Sequence, residues 1–243
     1  MNTNNRKAGR VVYTCDELLA LLDHNGRLRE PVTLVEGRWY YRLQALTSFA
    51  GVTLANDCWL WDLHSVTELE GLTLSKRCRL TGLSSVAALK GVTLAKGCRL
   101  SGLSAVTAIE RVTFAKRCEL SGLSALASLD GLMLPEGCML AELSAVTSLD
   151  GLTMAKGCIL SGLSAVTSLD GIVIPDGCSL SGLSAVTSLD GLTIGKCCSL
   201  WGLSAVTSIE NLVMGGYCEL RGLSAPMKER LAAIRAAAAA APG

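Results

Sequence analysis

The sequence predicts an all-β-like repeat solenoid of about ten stacked 20-residue coils, closed by an N-terminal and a C-terminal capping helix. Three observations predict it. Cys58, Cys78, Cys98, Cys118, Cys138, Cys158, Cys178, Cys198 and Cys218 recur at a fixed spacing of 20, and a leucine follows each two residues later. A fixed period of this size is the mark of a solenoid or array. Within each unit the apolar residues step by two and then by three, the spacing of short strands followed by a tight arc. Turn residues fall at the same places in every unit.

The first 30 residues are read as a polar tail and a capping helix. The string "TCDELLALLDHNG" opens on a capping box, Thr14 with Glu17, and stops at Asn25-Gly26. Residues 31–224 are the solenoid. Its first coil, "PVTLVEGRWYYRLQALTSFA", aligns without a gap but carries Arg38 where later coils carry cysteine. Terminal repeats are usually atypical in this way. A representative unit runs from Gly151 to Asp170. Leu152 and Met154 alternate with Thr153, then "AKG" turns the chain, then Cys158 and Leu160 alternate with Ile159. Leu163, Val166 and Leu169 follow in steps of three. One unit alone cannot bury its apolar side; stacked units can, at roughly 4.8 Å per coil. The stack predicts an elongated monomer roughly 50 Å long. Residues 225–243 begin "APMKERLAAI" and read as a second helix, with Ser224 as N-cap and Pro226 in its first turn.

Composition narrows the function classes. The 22 basic residues nearly balance the 21 acidic ones, so the net charge of +1 gives no general attraction to nucleic acid or to an anionic membrane. No apolar run approaches the ~20 residues that span a bilayer. The polar start "MNTNNRKAGR" lacks the apolar stretch of a secretory signal. With an odd count of 11 cysteines, this favours a reducing cytoplasm, export without a cleaved signal being the other possibility.

The stretch "LDGIVIPDGCSL" resembles the repeat of leucine-rich-repeat proteins. Leu169, Ile172 and Ile174 match its first apolar positions, and Cys178 with Leu180 its closing pair. Three residues rather than two separate Ile174 from Cys178, which keeps a related right-handed β-solenoid open as the alternative. The short unit is similar to those of effector-like proteins from host-associated bacteria. The resemblance implies a non-enzymatic scaffold that recognises a protein partner.

No catalytic chemistry stands out, and no cofactor is expected. His24 and His64 are the two histidines, and neither recurs with a nucleophile or carboxylate that would complete a triad. The cysteine column suggests soft-metal or redox chemistry as an alternative, but each cysteine alternates with an outward residue and so reads as core. The stripe Lys76, Lys96, Lys116, Lys156 and Lys196 lacks the interleaved aromatics of a single-strand nucleic-acid groove. Thr-Ser pairs from Thr147-Ser148 to Thr207-Ser208, and a threonine column from Thr53 to Thr193, raise an ice-binding alternative, although Met133 and Val173 break the second ladder.

The positions that do not repeat carry the remaining information. Beside each cysteine the outward column includes Trp59, Arg79, Arg99, Glu119, Met139, Ile159 and Glu219. Two residues further on, Trp61, Trp201 and Arg221 stand out from small residues. Exposed Trp and Arg on a rigid surface are frequent interface anchors, so these residues are the candidate partner-binding site.

Overall fold

The computed structural model describes residues 9–240 as a β-solenoid of about eleven 20-residue turns, with a helix after the last. The chain divides into two compact units after Leu123. In the first, the Cys-x-Leu strands Trp39–Tyr40, Trp59–Leu60, Arg79–Leu80, Arg99–Leu100 and Glu119–Leu120 pair in parallel. Each residue faces its counterpart 20 positions away. In the second, Met139–Leu140, Ile159–Ser161, Ser179–Ser181, Ser199–Trp201 and Glu219–Arg221 pair in the same way. A second set of short parallel strands carries the threonines, as where Thr73–Leu74, Thr93–Leu94 and Thr113–Phe114 lie side by side.

The steps of three become corners. In one coil the Val66, Leu72 and Cys78 amides donate to the carbonyls of Leu63, Leu69 and Ser75, at 3.1, 3.0 and 3.4 Å. Each is a single 3₁₀-like turn, and the apolar residue at each corner faces inward. Leu60, Leu80, Leu100 and Leu120 are fully buried in the first unit, and Leu140, Leu160, Leu180 and Leu200 in the second. Apart from the Tyr40 hydroxyl, no polar or charged side-chain group is buried among the described residues. The core is therefore made of aliphatic and thiol columns, in keeping with a chain that is only 4% aromatic.

The thiols do more than fill space. Cys58, Cys78 and Cys98 each donate to a turn carbonyl of the preceding coil, those of Val35, Ala55 and Ser75, at 3.3, 3.1 and 2.9 Å. Cys158, Cys178, Cys198 and Cys218 repeat this toward Pro135, Ala155, Pro175 and Gly195 at 2.8 to 3.4 Å. A buried turn carbonyl needs a donor, and the weak S–H group supplies it without a charge. Burial pushes the Cys98 thiol up to about 11 and raises Cys198 as well.

The N-terminal end departs from the expected plan. Helix α1 (Cys15–Leu19) has the Thr14–Glu17 capping box on both sides, but it ends six residues before Asn25. The chain then folds back through a Leu22–Leu28 antiparallel bridge. Ahead of it, strand Arg10–Val12 pairs in parallel with Val32–Leu34, adding the extra turn. Tyr40 takes the inward leucine position of the degenerate coil. Its hydroxyl donates to Val12 O at 2.7 Å and accepts from Val35 N at 3.0 Å, and burial raises its phenol pKa. The Cys15 thiol, brought in by α1, accepts from the Tyr41 amide at 3.2 Å. Helix α2 (Ala225–Ala240) buries Met227 and Leu231 at the C-terminal end of the second unit.

Candidate functional site

The variable column is built by register. Because Trp39, Trp59, Arg79, Arg99 and Glu119 occupy equivalent positions on paired strands, they lie side by side at strand spacing. Apart from the exposed Arg38 before Trp39, their neighbours in sequence face inward, so these side chains are available to one another and to solvent.

The indoles and guanidinium form one stack. Trp39 and Trp59 are parallel within 5°, with ring centroids 5.0 Å apart. The Arg79 guanidinium lies over the Trp59 ring at 4.4 Å. Trp61 tilts against Trp39 at 5.8 Å and 39°. Trp59 is thus half-buried between an indole and a guanidinium, while Trp39 is 57% exposed and Trp61 37%. Offset aromatic pairs and cation–π contacts hold such side chains in place beyond their area burial. Next in the column, Arg99 forms an ion pair with Glu119 at 2.9 Å.

Sequence reading placed Trp59, Trp61, Arg79, Arg99 and Glu119 on this face and missed Trp39 and Tyr41. The signal was present: the gapless first coil sets Trp39 20 residues before Trp59, and Tyr41 20 before Trp61. Both are exposed and wall a cleft of 370 Å³ with Tyr13, Thr14, Cys15 and Arg38.

The second unit has its own version of the face. Met139 and Ile159 are half-buried, and the column then falls to Ser179 and Ser199. Its aromatic contact is at the end, where Arg221 lies over the Trp201 ring at 4.7 Å and pairs with Glu219 at 2.9 Å.

The other candidate groups sit elsewhere and are used differently. Arg77 makes a bidentate pair with Asp57, both contacts at 2.6 Å, and this holds the Asp57 carboxyl below its usual range. The Ser148 and Ser208 hydroxyls donate to Asp130 and Asp190 at 2.6 Å, lowering those carboxyls. That hydroxyl ladder is spent on the scaffold itself. His64 lies beside Ser84 Oγ at 3.4 Å on the exposed arc. Among the described residues no group of three or more His, Cys, Asp or Glu is arranged to hold a metal. None of their helices is long and apolar enough to cross a membrane.

Fold and face together define a β-solenoid repeat protein with an ordered Trp/Arg surface on its cysteine-bearing sheet. No protein-family model, curated protein or solved structure matches the chain.

Proposed function

We propose that the chain is a non-enzymatic scaffold for protein recognition, of the short leucine-rich-repeat kind seen in effector-like bacterial proteins. In this reading it works as a monomer in a reducing cytoplasm. The observation that supports it is the Trp39–Trp59–Arg79 stack. An exposed aromatic cluster held rigid before any partner arrives loses little side-chain entropy on binding. The core does not draw on it, because the residues that pack inward beside it are Tyr40, Cys58, Leu60, Cys78 and Leu80.

Affinity capture from native lysate tests the reading when run with two variants. The Trp59→Ala/Arg99→Ala double variant should lose the captured protein, with a penalty above about 2 kcal/mol for a hot spot. The Lys76→Ala/Lys96→Ala variant should retain it. The reverse pattern would mean that the lysine-bearing turns are the working face.

A second reading has one specific observation behind it. In the first unit Thr33 pairs with Thr53, and in a separate sheet Thr73, Thr93 and Thr113 run in register, so the threonines there form two laddered runs. Thermal hysteresis of the purified chain would support an ice-binding face in place of the Trp/Arg face.

A further inference from the structure

The variable columns hold three arginines, and two already have a carboxylate. Arg99 holds Glu119 at 2.9 Å. Arg221 holds Glu219 through Nη2 at 2.9 Å and Nε at 3.0 Å, while its flat face rests on Trp201. Arg79 has the same stacked posture on Trp59, yet no carboxylate of the described residues lies within ion-pairing distance of it. Its register neighbours are Trp59 and Arg99. The nearest acid in the column, Glu119, is two strands away, roughly 9.6 Å, and is engaged by Arg99. Two residues along its own strand stands Thr81, and two residues back stands Arg77, which is spent on Asp57.

Stacking occupies the face of a guanidinium and leaves its in-plane N–H donors pointing outward. The Trp201–Arg221–Glu219 arrangement shows that a carboxylate fits a guanidinium stacked in this way. Arg79 is therefore a pre-oriented donor fork without its acceptor. On the far side of the stacked Trp59 stands the exposed ring of Trp39, with Trp61 tilted against it.

Resting on the recognition reading above, we infer that Arg79 receives a carboxylate from the partner, and that the partner's segment is acidic with a flat apolar side chain next to the acid, seated against Trp39 and Trp61. Charge complementarity supports this occupant. Arg79 and Arg99 are adjacent like charges, and Glu119 is the one acid in the first unit's part of that column. A polyphosphate chain fits less well, because Glu119 and Asp62 border the same surface.

The test uses the full chain and a fluorescein-labelled hexapeptide of alternating glutamate and phenylalanine, read by fluorescence polarisation. Wild type should bind it. Replacing the peptide's glutamates by glutamine, or making Arg79→Gln in the protein, should each weaken binding by at least about tenfold, the scale of one charge-assisted bidentate contact. Arg79→Lys keeps the charge but loses the planar stack, and should fall between the two. Arg221→Gln, which removes a guanidinium already neutralised, should leave affinity within about twofold. An unchanged circular dichroism spectrum and melt for Arg79→Gln would exclude misfolding as the cause. If the peptide binds but neither glutamine change matters, the Arg79 assignment falls, while recognition by the indoles stands. If wild type ignores the peptide, the assignment falls too, and lysate capture alone judges the wider reading. Tighter, strongly salt-dependent binding of an oligothymidylate would overturn it in favour of a phosphate ligand.

Discussion

In the first unit the outward column reads Trp39, Trp59, Arg79, Arg99, Glu119; in the second it reads Met139, Ile159, Ser179, Ser199, Glu219. Behind both stand buried leucines and cysteines, except at the first coil, where Tyr40 takes the leucine place and Arg38 the cysteine place. The difference shows how selection divides a strand of alternating faces. An inward residue must fit the coil before it and the coil after it, so a change of volume is felt on two sides. An outward residue meets only its lateral neighbours and water. The inward columns are held uniform by packing, and large, mutually stacked side chains gather where the outward column is free to differ.

Truncating one residue of each kind should separate the two faces most sharply. Leu160 is fully buried between its register partners Leu140 and Leu180, whereas Ile159 on the same strand faces outward. Urea unfolding should show Leu160→Ala costing about 2–5 kcal/mol, and Ile159→Ala less than about 1 kcal/mol. Equal losses would mean that the outward column is structural after all.

The buried Cys98 thiol should give the inward face a pH signature that the outward face lacks. Burial holds the Cys98 proton to about pH 11 in the folded chain, while an unfolded thiol releases it near ~8.5. Between those values the native state binds more protons than the unfolded one. Stability should therefore fall as pH rises from about 9 toward 11, by up to ~3 kcal/mol from Cys98 alone. Denaturant midpoints measured across this range check it, and Cys98→Ala should make the decline shallower. A flat profile would show that the Cys98 thiol is not held protonated by the fold.

The smallest contrast separates two glycines of the second unit. Both have positive φ, +88° at Gly182 and +72° at Gly171. A Cβ at Gly182 would stand 2.8 Å from Leu163 N in the preceding coil, whereas at Gly171 it meets open space. Gly171→Ala should cost about 1 kcal/mol from backbone strain alone. Gly182→Ala should cost about 1–2 kcal/mol more, because two backbones would have to separate. Thermal melts of the two variants make the comparison.

Much of this was legible in the sequence because repetition turns position into geometry. Once Cys158 and Cys178 are known to be one coil apart, Trp59 and Arg79 must be lateral neighbours, and so must Arg99 and Glu119. The inward direction of cysteine followed from its alternation with Ile159 and its like. The ends were harder to read, since nothing there repeats. "RVV" at Arg10–Val12 is too short to mark a strand without its partner at Val32–Leu34. The apolar spacing of Leu18, Leu19, Leu21 and Leu22 suited a longer helix than the one that ends at Leu19, where the chain turns to close the Leu22–Leu28 bridge. The bond from a column thiol such as Cys78 or Cys178 to a carbonyl 23 residues earlier depends on how the turn aims that oxygen, which residue types alone do not specify.

Those thiol bonds also give the chain a direction of construction. For the thiols and the strand-opening amides the later coil brings the donor and the earlier coil already holds the acceptor, as where Arg99 N and the Cys98 thiol meet the carbonyls of Cys78 and Ser75. Past the strand the sense reverses, as where Leu163 N of the earlier coil donates to Ser181 O of the later one. A nascent segment emerging during synthesis therefore finds the acceptors of its thiol and strand-opening amides already behind it, and in turn supplies carbonyls to amides of the coil before it, as Ser181 O does to Leu163 N. Within each unit the protein can be laid down course by course, in the order in which its message is read.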